Sequence, residues 1–470
     1  MLWSGMETAV MAGVSLAVSV VMARILAPDA FGLVALLQIF IAIGQMSAEA
    51  GITQTLVRMP RRTPVQEGSA LAVNLAAGGV AYVALWLCAP LIAGFFHQPG
   101  LIPVARLIGL CIPLNAACVV QAARLTSAMR FRRLAGISVC AVCVSGLTGI
   151  LLALSGAGVM ALVWQQIALW GTRTSLLWAT GPSLAGMRFR LKEAKELTAF
   201  SWKLMASGFI DTVWTNIYAP LVGRCVGLSA TAMFWRAQTL ASYAPQAFGS
   251  VLARVSLPAM SHIRDERERA TAAFRRLTAC SAWVIMPVCG TLTALAGPMF
   301  SWVLTDKWLP AVPLFQVLCV NAAFYPLHLL NCTALNVWGR PDLFLRLEII
   351  KKLIGLGALC VSLPFGVHAL CWGILCGSGT CLFINIRFAR RYTGVGIADQ
   401  VRLITGPILG AALAAACAWS LTLTGLSPAA KCVAGICAGA ATYLIFTKAA
   451  RLTAPQEIRN LLRFSKNTTQ

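Results

Sequence analysis

The chain has 470 residues, 59% hydrophobic and only 11% charged, with 38 Lys and Arg against 15 Asp and Glu. Soluble domains carry about 25% charged residues, and a mean hydropathy of +0.78 excludes a soluble enzyme or any large soluble domain. A net charge of +23 would suit nucleic acid, but the basic residues sit beside the ends of apolar stretches without base-stacking aromatics, so it reads as a topology signal and an attraction to anionic lipid.

Residues 1–23 lack a basic start, contain Glu7 and run straight into a loop, so they read as a first span rather than a cleaved signal peptide. A crossing needs about 20 apolar residues. Spans are predicted at 3–24, 31–57, 69–95, 101–123, 135–155, 158–178, 201–223, 231–253, 277–303, 309–337, 343–363, 366–386, 401–424 and 428–447. The predicted fold class is an all-α polytopic membrane protein of about 14 transmembrane helices.

Lys and Arg fall in alternate gaps. Arg58, Arg61 and Arg62 follow the second span, and the Arg124–Arg133 group follows the fourth. The groups Arg173–Lys195, Arg254–Arg276, Arg340–Lys352 and Arg387–Arg402 follow the sixth, eighth, tenth and twelfth, and Lys448–Lys466 occupies the tail. Cytoplasmic loops retain Lys and Arg, so these regions and both termini are predicted to be cytoplasmic. The opposite links, such as Ala27 to Ala30 and Phe96 to Gly100, are short and suit tight turns.

Two loops are longer. Residues 179–200 are taken as a cytoplasmic inter-lobe loop between an N-terminal six-helix lobe (1–178) and a C-terminal one (201–390). Helices 13 and 14 (391–450) and a cytoplasmic tail (451–470) complete the domain plan. The second loop, 254–276, holds Arg264-Asp-Glu-Arg-Glu-Arg269 and is expected to form a solvated cytoplasmic helix. The tail from Pro455 to Phe464 has the pattern of an amphipathic helix on the inner leaflet.

A repeat appears at an offset of 200 residues: Met22-Ala-Arg-Ile-Leu-Ala27 closes the first span and Val222-Gly-Arg-Cys-Val-Gly227 the seventh. An even-numbered duplicated unit re-enters the membrane in the same orientation, so parallel halves are expected. Most of the 17 cysteines lie inside apolar stretches and read as small hydrophobes. Cys140-x-x-Cys143 has metal spacing but no partner pair or nearby His, so no metal is expected. No phosphate-cradling loop, nucleophile elbow or ATP-binding motif is present, so neither a cofactor nor an ATPase is expected.

Several blocks occur in a recognisable order. Met22-Ala-Arg-Ile-Leu-Ala-Pro-Asp-Ala-Phe-Gly-Leu-Val-Ala35 resembles the "ARxLxPxDFGLVA" opening of the Wzx-type polysaccharide exporters, and Glu49-Ala-Gly-Ile-Thr-Gln-Thr-Leu-Val-Arg58 resembles their next block. Val222-Gly-Arg-Cys-Val-Gly227 with Phe234-Trp-Arg-Ala-Gln-Thr-Leu240 is similar to "IGRxxG…YxRAxxL". Leu257-Pro-Ala-Met-Ser261 and Gly339-Arg-Pro-Asp342 also fit, and Thr305-Asp-Lys-Trp-Leu-Pro310 resembles the family's "GxxW-x-P" turn with its Gly replaced. These exporters are lipid-linked oligosaccharide flippases of the multidrug/oligosaccharidyl-lipid/polysaccharide superfamily. They usually carry a short basic segment before the first span, and this chain begins without one.

The resemblance implies two six-helix lobes around a central cavity, here with two further helices. It also implies an undecaprenyl-(pyro)phosphate-linked oligosaccharide as substrate, with membrane lipids, a polysaccharide polymerase and glycosyltransferases as partners. Basic residues outside the cytoplasmic set are Arg24, Arg106, Lys203, Arg224, Arg236, Lys307 and Lys431. A cation near mid-bilayer costs at least ~2.5 kcal/mol and normally faces water or a partner. Arg24, Arg106, Lys203, Arg224 and Arg236 are therefore candidates to hold the substrate's phosphates, the alternative being snorkelling or a salt bridge such as Arg24 with Asp29. Asp211 and Glu49 are candidates for ion coupling, with pairing to an Arg as the alternative; Glu7 is expected nearer the inner interface. A drug/cation antiporter would favour an acidic cavity, and a membrane enzyme would need a larger or carboxylate-rich outward loop than the Asp29 and Asp306 links provide.

Overall fold

The computed structural model describes residues 2–49, 63–181, 188–263, 266–338, 341–452 and 455. Arg58, Arg61, Arg62, Arg264, Asp265, Gly339, Arg340 and the tail from Gln456 lie outside the described residues, as do the side chains of Glu7, Lys203, Leu257, Pro258, Ala259, Pro341 and Asp342.

Two compact units divide the chain, Met1–Ala232 and Met233–Gln470. The first contains α1 (Leu2–Ile25), α2 (Pro28–Glu49), α3 (Pro64–Phe96), α4 (Leu101–Ile108), α5 (Cys111–Ser127), α6 (Phe131–Leu154), α7 (Val159–Thr180), α8 (Leu191–Asn216) and α9 (Tyr218–Cys225). The boundary falls inside α10 (Leu228–His262). The second unit continues with α11 (Arg267–Ala294), α12 (Ala296–Met299), α13 (Val312–Ala323), α14 (Tyr325–Val337), α15 (Pro341–Ser362), α16 (Val367–Thr393), α17 (Ile397–Thr422) and α18 (Pro428–Ala449). No strand occurs among the described residues.

Capping chemistry sets several ends. Thr63 and Gln66 form a capping box at the start of α3, Thr63 Oγ1 accepting from the Gln66 N–H at 3.3 Å and Gln66 Oε1 from the Thr63 N–H at 3.2 Å. Pro64 at the first position needs no donor of its own. At the other end His97 takes up a left-handed conformation (φ 55) and its Nδ1 donates to the Gly94 carbonyl at 2.7 Å. In the first unit α3 packs on α5, and a Cβ at Gly78 would lie 2.9 Å from that of Ala116, so only glycine permits this approach. In the second unit α11 packs along α17, α17 along α18, and α15 along α16.

Nine helices among the described residues are long and apolar enough to cross a membrane, which makes this a multi-pass membrane protein. At four further expected crossings the helices α7, α8, α10 and α15 are more polar, carrying residues such as Arg173, Asp211, Arg236 and Lys351. Helices that cannot face lipid all round must turn that polarity inward or to water. Two expected boundaries shift. The seventh span, read as 201–223, lies in a helix that starts at Leu191 and breaks at Ile217, because nothing between Leu191 and Gly208 interrupts it. Arg267–Arg276, expected to belong to a separate cytoplasmic helix, form the first turns of α11 with Arg267 to Arg269 exposed.

Candidate functional site

In the first unit, three of the expected phosphate-binding residues lie at helix ends, where a cation complements the carbonyl-rich terminus, while Lys203 falls inside α8. Arg24 closes α1 and is exposed. Arg106 closes α4, with its guanidinium 4.1 Å from the centroid of the Trp86 ring and its Nε buried without a hydrogen bond. Arg224 closes α9, exposed, 5.2 Å from the Phe95 ring. Trp86 and Phe95 both belong to α3, so one helix supplies the aromatic seats for two arginines about 13 Å apart along its axis. A guanidinium over a ring gains about 0.5–1 kcal/mol exposed and about 2 kcal/mol or more when desolvated.

Arg173, read as a loop residue by its charge, belongs inside α7. Its guanidinium lies 5.5 Å from the Trp170 ring and its Nε is buried without a hydrogen bond, which adds a guanidinium to the candidates in this unit. Seven residues of α7, ending at Thr180, follow it, too many for a position at the helix end.

The acidic candidates divide. Glu49 ends α2 and its Oε1 accepts from Nδ2 of the buried Asn115 at 3.3 Å. Nearby on α3, one turn before Gly78, Asn74 is 0% exposed and neither polar atom of its amide has a hydrogen-bond partner. Gly78 touches Ala48 and Ala116, the neighbours of Glu49 and Asn115, so these oxygens converge in one region of the unit. Asp211 is exposed on α8. A further ion pair, Arg124 with Glu67 at 3.1 Å, joins the last turn of α5 to the first turn of α3, each charge complementing its own helix dipole.

In the second unit Arg236 is 1% exposed on α10, its guanidinium 5.0 Å from the centroid of Trp308, itself 0% exposed. Trp308 is presented by an unusual turn. A π-helical segment, Phe300–Leu304, ends at Thr305 (φ 93), and a 3-10 segment, Asp306–Ala311, follows. The Ser301 hydroxyl donates to the Asp306 carboxylate across that junction. The structure thus places the five basic candidates in two units: Arg24, Arg106, Lys203 and Arg224 in the first, Arg236 in the second.

Among the concavities of the second unit, two differ sharply in character. An apolar groove of about 500 Å³ runs along α11, α13 and α17, lined by Cys289, Val320, Ile408, Ala411 and Trp419 among others. A polar cavity of about 210 Å³ lies among α10, α13, α14 and α16. His328 is one of its lining residues.

Residues 21–313 match the family described as polysaccharide biosynthesis protein. The chain belongs to that family. It is 26% identical over 319 residues to the succinoglycan biosynthesis transport protein ExoT of Rhizobium meliloti (strain 1021), a match covering 68% of this chain and 65% of that relative. It is 21% identical to the lipopolysaccharide biosynthesis protein WzxC of Escherichia coli (strain K12), covering 77% of this chain and 74% of WzxC. The matched region therefore spans about two thirds to three quarters of these relatives. Among solved structures, the lipid II flippase MurJ in an inward closed conformation superposes with a TM-score of 0.75 over 96% of this chain and 98% of MurJ, at 12% identity. The resemblance to polysaccharide exporters read from the motifs is borne out, and the chain shares the fold of the MurJ structure.

Proposed function

We propose that the chain is a flippase carrying an undecaprenyl-(pyro)phosphate-linked oligosaccharide across the bacterial cytoplasmic membrane by alternating access, for O-antigen, capsule or exopolysaccharide synthesis. The observation that carries this reading is the set of guanidinium groups kept within or at the ends of the helices at expected membrane crossings: Arg24, Arg106, Arg224 and Arg236, with Lys203 as an ammonium counterpart. Keeping them there costs energy, and a phosphate that two-pronged guanidinium contacts can grip recovers it. The apolar groove along α17 suits a polyprenyl chain, which has no polar group to satisfy. In this reading residues 1–178 and 201–390 act as two lobes and both termini are cytoplasmic. The chain works beside a polymerase and glycosyltransferases as a carrier, not an enzyme. Reconstitution tests it: labelled undecaprenyl-pyrophosphate saccharide in proteoliposomes should equilibrate between leaflets only when the protein is present. Leaflet exchange equal to that of empty vesicles would reject the proposal.

Coupling rests on Glu49 and Asp211. The Glu49 carboxylate, with the amides of Asn115 and Asn74 nearby, offers oxygen ligands for a proton or Na⁺. Glu49→Gln, which keeps the shape and removes the charge, is expected to leave translocation no faster with an imposed gradient than without one, while wild type accelerates at least several-fold. Equal acceleration of the variant and wild type would assign Glu49 a purely structural role.

A further inference from the structure

The polar cavity of the second unit differs in chemistry from the cationic candidates. Its walls carry side-chain amides, hydroxyls and one imidazole but no Lys, Arg, Asp or Glu: Gln238 and Ser242 on α10, Asn321 on α13, Tyr325 and His328 on α14, and Ser378 on α16. Its volume of about 210 Å³ equals roughly seven waters, enough for one sugar ring. A mouth is open where Gln246 is exposed and Tyr325 is 40% exposed.

Hydrogen bonds to the imidazole fix the direction of the remaining polar groups. Asn385 Nδ2 lies 3.2 Å from His328 Nδ1, and His328 Nε2 lies 3.1 Å from Ser378 Oγ. With the Asn385 amide donating, Nδ1 accepts, so Nε2 carries the proton and donates to Ser378. That leaves the Ser378 hydroxyl proton free to donate into the cavity. On another lining residue, Asn321, Oδ1 is buried without a hydrogen-bond partner, an acceptor waiting for a donor. Pro245, inside α10, has no N–H for the Ala241 carbonyl one turn earlier, and Ala241 also lines the cavity. Tyr325 supplies an apolar wall, and its ring sits against α10 only because residue 249 is glycine: a Cβ there would meet Cε1 at 2.4 Å.

We infer that this cavity binds a neutral, hydroxyl-rich sugar ring of the transported glycan. A sugar offers alternating donors and acceptors round its edge for the amides, Ser378 and Asn321, and a C–H face for the Tyr325 ring. A phosphate is the wrong guest, because no cation lines the walls. The inference rests on the flippase reading and adds a sugar subsite to its phosphate-binding residues.

The test measures binding of two lipids to the full-length protein in nanodiscs: undecaprenyl pyrophosphate, and the same lipid carrying one hexose, with glucose and galactose tried separately. Wild type should bind at least one hexose-bearing lipid more tightly than the bare one. Asn321→Leu and Ser378→Ala should each shrink that preference by about three- to ten-fold, the loss of one hydrogen bond, leaving affinity for the bare lipid unchanged. Tyr325→Phe should retain the preference and Tyr325→Ala should lose it. If wild type shows no preference for either hexose, or the variants keep it in full, the sugar subsite is wrong while the flippase reading stands. If wild type binds none of the lipids, the flippase reading fails and the subsite with it. Thermal unfolding of each variant identifies misfolding, and Asn321→Asp, which keeps an acceptor, provides a second variant should Leu fail to fold: it should retain more of the preference than Ser378→Ala.

Discussion

Arg236→Ala is expected to abolish export and to lower stability by about 2 kcal/mol or more. The guanidinium is sealed from solvent on the face of a sealed indole, so truncation removes a desolvated cation–π contact and leaves a void beside Trp308. Trp308→Ala should cost more, about 3–5 kcal/mol, because a whole buried aromatic side chain goes with the contact. The two substitutions separate structure from transport when Arg236→Lys is added. Lysine keeps the charge but loses the planar fork that stacks on a ring and grips a phosphate with two bonds. If Arg236 handles substrate, Arg236→Lys exports poorly even where its melting temperature in detergent stays near wild type. Full export by Arg236→Ala would remove Arg236 from the substrate path altogether. Because the group is covered here, reaching a phosphate requires α10 or the Trp308 turn to shift.

The opposite sign is expected at Thr305. A β-branched residue at φ 93 is held where only glycine sits without strain, at a cost of about 1–3 kcal/mol. Its Oγ1 is also buried without a hydrogen-bond partner, which adds a desolvation penalty. Thr305→Gly removes both costs and loses about 0.5–1 kcal/mol to the freer unfolded chain, for a net gain of about 1–3 kcal/mol and a melting temperature higher by several degrees. Thr305→Val removes only the hydroxyl, so it should gain less. A glycine variant that melts below wild type would show that the methyl group's packing outweighs the strain. The motif comparison placed a glycine at this turn in the polysaccharide exporters, and the backbone angle supplies the physical reason.

Much of the fold was legible because it depends on local composition: apolar runs long enough to cross a bilayer, Gly and Pro at the short links, and basic residues in alternate gaps. Helix ends were legible less often. The start of α8 at Leu191 was missed because charged residues read as loop, and the continuity of Arg267–Arg276 with α11 was missed because that stretch read as a separate cytoplasmic helix, although no breaker stops a helix from running through either. The charged candidates could be named from their cost, but their settings could not. Arg236 meets Trp308, and Arg106 and Arg224 meet rings of α3, through tertiary contacts between distant parts of the chain that have no periodic signal. The sugar-sized cavity was invisible for the same reason. Its residues lie on four helices, each with one to three polar groups that look incidental in its own segment.

The partnership of Arg236 with Trp308 also bears on biosynthesis. The ribosome delivers the indole about 70 residues after the guanidinium, a delay of roughly 4–14 s at ordinary elongation rates. During that interval α10 enters the translocon with a charge that has not yet met its ring. Helices made in between must then either shelter it or hold it at the water boundary, so the second unit can lock its first helix in place only after the chain has emerged past residue 308.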